Sequence, residues 1–145
     1  MKSLFTRDYL ECSFDEGPMV LFHVWLRKPT SAELKEGLTS VHAEFMKYKN
    51  QHGKLLNWLG DTRKMGVLSV DDQGWLDKVW NEMLFVKAGV KVHAVIIGAD
   101  VFSKYAMDKF KNSMREKHGE SLHMDTFVDK EAAYKWFESI DKNAA

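Results

Sequence analysis

The sequence predicts an α/β domain built on a mixed sheet, and three observations carry that expectation. A hairpin-like pair of strands opens the chain, a long capped amphipathic helix follows, and strands then alternate with helices to the end. The expected order is ββαβαβαβα, four helices on a five-stranded sheet. The later strands run parallel with right-handed crossovers, and the opening hairpin forms an antiparallel edge. At 145 residues, one domain spanning 1–145 is expected, large enough to bury a core without disulfides or metals.

Each element has its own signal. Residues 8–14 alternate, with Leu10, Cys12 and Phe14 on one face and Tyr9, Glu11 and Ser13 on the other. Asp15, Glu16, Gly17 and Pro18 carry turn chemistry, and residues 19–26, rich in Val, Phe and Trp, return as the second strand. Thr30 and Glu33 form a capping box for a helix over 30–50. Its stripe is Leu34, Leu38, Val41, Phe45 and Tyr48, and Gly53 is suited to end it.

Residues 55–59 read as a short strand. Ser69 and Asp72 then signal a second helix with an expected stripe of Leu76, Val79, Trp80, Met83 and Val86, ended by Gly89. The β-branched run over 92–97 suits a strand covered on both faces. A third helix is expected over 101–117, with Phe102, Ala106, Phe110 and Met114 every fourth residue. A strand over 122–127 and a helix capped by Asp129, with Ala133, Trp136, Phe137 and Ile140 apolar, complete the chain.

Charge and cysteine content narrow the function. The 21 basic and 21 acidic residues cancel and are evenly spread, so no positive stripe is offered to nucleic acid. A chain without net charge also has little electrostatic resistance to self-association. Cys12 is the one cysteine, so no intrachain disulfide or thiolate cluster can form. Arg7 and Asp8 interrupt the opening stretch before an apolar run develops. No segment approaches the roughly 18 apolar residues of a membrane span. A cytoplasmic location is expected.

Catalytic signatures are missing from the sequence. There is no Gly-x-Ser-x-Gly elbow, Gly-x-Gly-x-x-Gly loop or Walker motif, so no catalytic residue and no cofactor is expected. His23, His93 and His123 fall on expected strands. No histidine pair has helical i, i+4 spacing, so they read as buried or pairing side chains and not as metal ligands.

The segment from about 55 to 137 resembles the STAS-like domains, the group built like bacterial anti-sigma-factor antagonists. More narrowly it is similar to small bacterial STAS-like proteins of unestablished function. The residues that carry the likeness are Asp61-x-Arg63 after a strand, then Ser69-x-x-x-Gln73-x-Trp75, then Gly89-x-Lys91 before the next strand. The resemblance implies the α/β fold and a regulatory or interaction role. The antagonists carry a phosphorylatable serine at a helix start in an Asp-Ser-Ser-Gly-like context. Here Ser69 lacks that context, and Asp71 and Asp72 would repel a phosphate. Ser69 is therefore expected to cap a helix and not to act as an obligatory switch.

Five residues are the candidate binding set: Asp61, Arg63, Ser69, Gln73 and Trp75. Asp61 and Arg63 follow the carboxyl end of a strand, where open α/β sheets place ligands. They either present a charged pair to a polar ligand or anchor the loop by bonding each other and its backbone. Trp75 either stacks on a flat ligand or joins the core. In a regular helix Trp75 and Trp80 lie about 140° apart, so one is expected to face outwards at a contact surface. The expected function is a non-enzymatic interaction or regulatory module, with a protein partner or a second copy in a twofold dimer. Candidate dimer surfaces are the exposed side of the helix over 71–88 and the antiparallel sheet edge. The alternative is a carrier or sensor of a small apolar ligand, for which Met46, Met83, Met107 and Met114 would supply flexible lining or else fill the core.

Overall fold

The computed structural model of the chain describes residues 1–98, 108, 112 and 122–144. Among these, six strands form one mixed sheet in sequential order: β1 (Lys2–Thr6), β2 (Leu10–Asp15), β3 (Val20–Trp25), β4 (Asn57–Asp61), β5 (Val92–Ile96) and β6 (His123–Phe127). The first two pairings are antiparallel and the last three parallel. The α/β class and the mixed sheet are as the sequence predicts, but the sheet has six strands and not five. The additional strand is β1. It is an edge strand with mostly exposed side chains and a register irregularity between Ser3 and Phe5, so it lacks the buried alternation that marks a strand.

The hairpin closes where Asp15 pairs with Val20. Its turn needs a left-handed residue, and Met19 takes that role at φ 56°. Asn57 holds the turn from the neighbouring strand: its side-chain amide donates to Pro18 O at 3.0 Å and its backbone N–H to Met19 O at 2.7 Å.

Helix α1 (Ser31–His52) follows the sequence closely. Glu33 N–H donates to Thr30 Oγ1 at 3.2 Å and Thr30 N–H to Glu33 Oε1 at 2.9 Å. All five stripe residues are buried, and Gly53 ends the helix at φ 64°. Gly37 is buried as well. A Cβ there would come within 2.8 Å of Leu10 Cδ2 and 3.2 Å of Trp25 and Tyr9, so a glycine lets α1 settle onto β2 and β3.

The second helix departs from expectation. It starts as α2 (Val70–Trp75) and continues as two π-helical stretches, Leu76–Trp80 and Glu82–Lys87. Asn81 N–H donates to Leu76 O and Ala88 N–H to Met83 O, both five residues back. Wider turns rotate the inward face relative to a 3.6-residue stripe. The buried set is therefore Asp72, Trp80, Asn81, Leu84, Phe85 and Ala88, while Val79 and Val86 are exposed. Residues five apart also stack, so Trp75 and Trp80 lie on one side with ring centroids 6.4 Å apart and planes 17° apart. The expectation that they diverge fails for that reason. Gly89, at φ 70°, ends the helix, and Lys49 Nζ donates to Ala88 O at 2.7 Å.

Side chains alternate between two layers. Leu21, Trp25, Trp58 and Met124 belong to the core shared with α1 and the second helix, together with Leu10, Cys12 and Phe14 of β2. Val20, Leu59, Ala94 and Ile96 face helix α3 (Lys130–Ala144), which contributes Ala133 and Phe137. Asp129 caps α3 by accepting from Ala132 N–H at 2.8 Å. The expected helix over 101–117 lies outside the described residues, apart from Asp108 and Asn112, which are helical. No helix among the described residues is long and apolar enough to cross a membrane.

β5 lies between β4 and β6, with Val95 and Ile97 buried and Val92 half-buried. Val95→Ala should destabilise the fold by about 1–3 kcal/mol through lost burial and a residual cavity. A urea titration with an unchanged midpoint would contradict this placement.

Candidate functional site

Asp61 ends β4 and is buried, and the chain turns directly onto it. Arg63 donates to its carboxylate three ways: backbone N–H to Oδ1 at 3.1 Å, Nε to Oδ1 at 3.0 Å and a terminal guanidinium nitrogen to Oδ2 at 2.6 Å. A buried carboxylate needs such a partner, and an arginine fork supplies it with two parallel bonds. Thr62 continues the anchor, its backbone N–H and Oγ1 both donating to Ile96 O at 2.9 Å. Of the two roles open to Asp61 and Arg63, the geometry displays the loop anchor. They line an open depression of about 330 Å³ at the carboxyl ends of β3 and β4, together with Val24, Trp25 and Lys64.

The other three candidates lie elsewhere. Ser69 caps α2, its Oγ accepting from Asp72 N–H at 3.1 Å. Gln73 Nε2 donates to Leu68 O at 2.8 Å and so closes the same turn. Trp75 is half-buried, packs against the core and carries Lys35 Nζ 6.0 Å from its ring centroid. None of the three lines the depression. The five residues are brought together as an anchored loop and a helix start, not as one pocket.

A different cluster fills the seam between the sheet and the two helices. Parallel pairing sets His23 beside Gly60 and Trp58 beside His93. The His23 imidazole lies over Gly60, where a Cβ would fall 2.8 Å from Cε1. Trp58 meets His23 edge-on at 5.1 Å and stacks on His93 at 6.2 Å with planes 9° apart. Trp80 packs on Trp58 at 5.8 Å and on His42 of α1 at 6.2 Å. Asn81 is buried beside it.

Burial sets the protonation of this seam. It lowers His23 to about 4, against a smaller upward pull from Asp61. It lowers His93 to about 3, with the neighbouring His23 adding to the shift. His42 is lowered too, by burial, with the Met83 backbone opposing. Burial pushes the Cys12 thiol up to about 12, with Glu44 adding to the effect. Among the described residues no three His, Cys, Asp or Glu side chains converge as a metal site requires.

The seam is absent from the expected site because its members come from four elements whose register the sequence does not state. The available signal was strand alternation, which sets Leu21, His23 and Trp25 on one face. No family model matches the chain, and no curated protein or solved structure matches it either.

Ser69→Ala should cost about 0.5–2 kcal/mol by removing the cap, with Ser69→Asp retaining most of the stability. Equal thermal midpoints for wild type and Ser69→Ala would refute the capping role. The seam histidines are neutral in the folded chain and bind protons near pH 6.5 once unfolded. Stability should therefore fall as pH drops below 6.5 and level off near pH 4 for His23 and pH 3 for His93. Each histidine contributes a slope of up to about 1.4 kcal/mol per pH unit. Urea midpoints at pH 7.5, 6.0, 5.0 and 4.5 test this, and stability that rises on acidification would contradict it.

Proposed function

We propose that the chain is a non-enzymatic, STAS-like interaction or regulatory module of the cytoplasm, working by surface recognition through the outer side of its second helix. The observation behind this reading is the exposure of Val79 and Val86 on that helix, with Val67 and Val70 also exposed at its start. Apolar side chains in solvent on one element suit a contact surface. The titratable groups do not favour chemistry: Asp61 is committed to Arg63, and His23 and His93 are buried in packed aromatics. The bulged β1 edge is the weaker candidate surface, because an irregular register disfavours strand addition. A second copy of the chain is the simplest occupant of the valine face, given zero net charge and the prevalence of twofold pairs. A second reading, a carrier or sensor of a small apolar ligand between sheet and helices, draws support from Met46 and Met83, which pack against that seam.

Sedimentation equilibrium tests the favoured reading. The apparent mass should rise from 16.8 kDa toward twice that value with concentration, and Val79→Asp with Val86→Asp should return it to the monomer. A constant 16.8 kDa up to high micromolar protein would overturn self-association through this face.

A further inference from the structure

Asp61 holds Arg63 by one side only. The buried carboxylate takes the Nε and Nη2 side of the guanidinium, at 3.0 and 2.6 Å. The Arg63 side chain still stays 49% exposed, against 7% for Asp61. Among the described residues its Nη1 makes no hydrogen bond. An arginine clamped in this way has already given up its rotamer freedom, so a ligand that meets its open edge need not order it. Lys64 follows in the chain and forms no ion pair among the described residues. Both cations line the 330 Å³ depression, whose apolar wall is Val24 and Trp25. Lys28 lays its aliphatic stem against Gly66 of the same loop. Asp129 acts on Arg63 electrostatically without an ion pair, and its Oδ1 caps α3. Arg63, Lys64 and Lys28 set against Asp61 and Asp129 leave the depression one positive charge. With Asp61 occupied by Arg63, the polar side-chain groups left on the lining are the donors of Arg63 and Lys64.

We infer that this depression binds a small organic monocarboxylate, its carboxylate taken by the open edge of Arg63 and by Lys64, its apolar body set against Val24 and Trp25. The guanidinium plane matches a carboxylate, and a single surplus positive charge matches a monoanion. The volume lies at the lower end of the about 300–1,000 Å³ of small-molecule sites, and is more than an inorganic ion fills. The depression sits at the carboxyl ends of the parallel strands β3 and β4, where open α/β sheets bind ligands. A neutral molecule of the same shape would leave the two cations unmatched. A bare anion would leave the apolar wall uncovered. None of the exposed valines lines this site, and the inference does not rest on them.

The test titrates benzoate into the full 15N-labelled chain at constant ionic strength and follows the Arg63 Nε–H resonance. Benzyl alcohol, with the ring but no charge, and acetate, with the charge but no ring, are the controls. The expected result is a saturable shift of the Arg63 resonance by benzoate, with both controls binding about tenfold more weakly. Lys64→Gln touches no part of the Asp61–Arg63 anchor, so it should keep the thermal midpoint and weaken benzoate about fivefold. Val79→Asp with Val86→Asp should bind benzoate as the wild type does, which separates this site from self-association. Equal binding of benzyl alcohol would overturn the proposal in favour of an apolar hollow without anion recognition. Equal binding of acetate would overturn it in favour of unspecific attraction of anions to surface cations. An Arg63 resonance that benzoate does not move, or an affinity unchanged in Lys64→Gln, would overturn the assignment to this depression. The wild-type titrations decide the matter even if Lys64→Gln fails to fold.

Discussion

Parallel pairing of β3 with β4 sets the His23 imidazole over the Cα of Gly60, and much of the helical face follows from that contact. A side chain at residue 60 would occupy the space of the ring. With glycine there, the imidazole occupies the space over residue 60, and Trp58 of the same strand meets it edge-on. Trp58 then stacks on His93 of β5 and supports Trp80 from the helix above. Phe45 of α1 also packs on Trp58, at 5.7 Å. Three strands and two helices thus meet around one indole, whose position depends on a missing side chain.

Near α1 the sequence and the structure agree because the signals there are local. A capping box, a four-turn stripe and a terminal glycine lie within one segment and need no partner to be read. The hairpin is similar, since alternation in β2 and apolar density in β3 survive without knowledge of their neighbours. β4 shows the limit. The apolar run over 55–59 marks it, but the strand is Asn57–Asp61, because register with β3 and not apolarity decides where pairing stops. Asn57, Gly60 and Asp61 are buried there for reasons that only their neighbours reveal.

The second helix was least legible. A 3.6-residue turn predicts one stripe, whereas the i→i+5 bonds bring Trp75 onto Trp80, and Val79 and Val86 lie in solvent. No residue type announces a π-helix, so the error is one of pitch and not of hydrophobicity. The candidate loop is more legible in the sequence than the candidate site. Asp61 and Arg63 do act together, and Ser69 does cap, but each bond is spent within the loop. Asn81 carried no sequence signal because a polar residue on a surface helix is unremarkable until its burial is known.

Cys12 has a practical consequence that follows from its place in the sheet. It pairs with His23 in the register of β2 and β3, has no exposed surface, and has its thiol pushed up to about 12. The thiolate needed for alkylation or disulfide exchange is therefore scarce at neutral pH, and reagents have no path to it in the folded chain. A cysteine introduced on the outer side of a helix would react alone. The native sequence thus accepts single-site attachment of a spin label or fluorophore with its own thiol left in place, and reaction at Cys12 would report the loss of the fold itself.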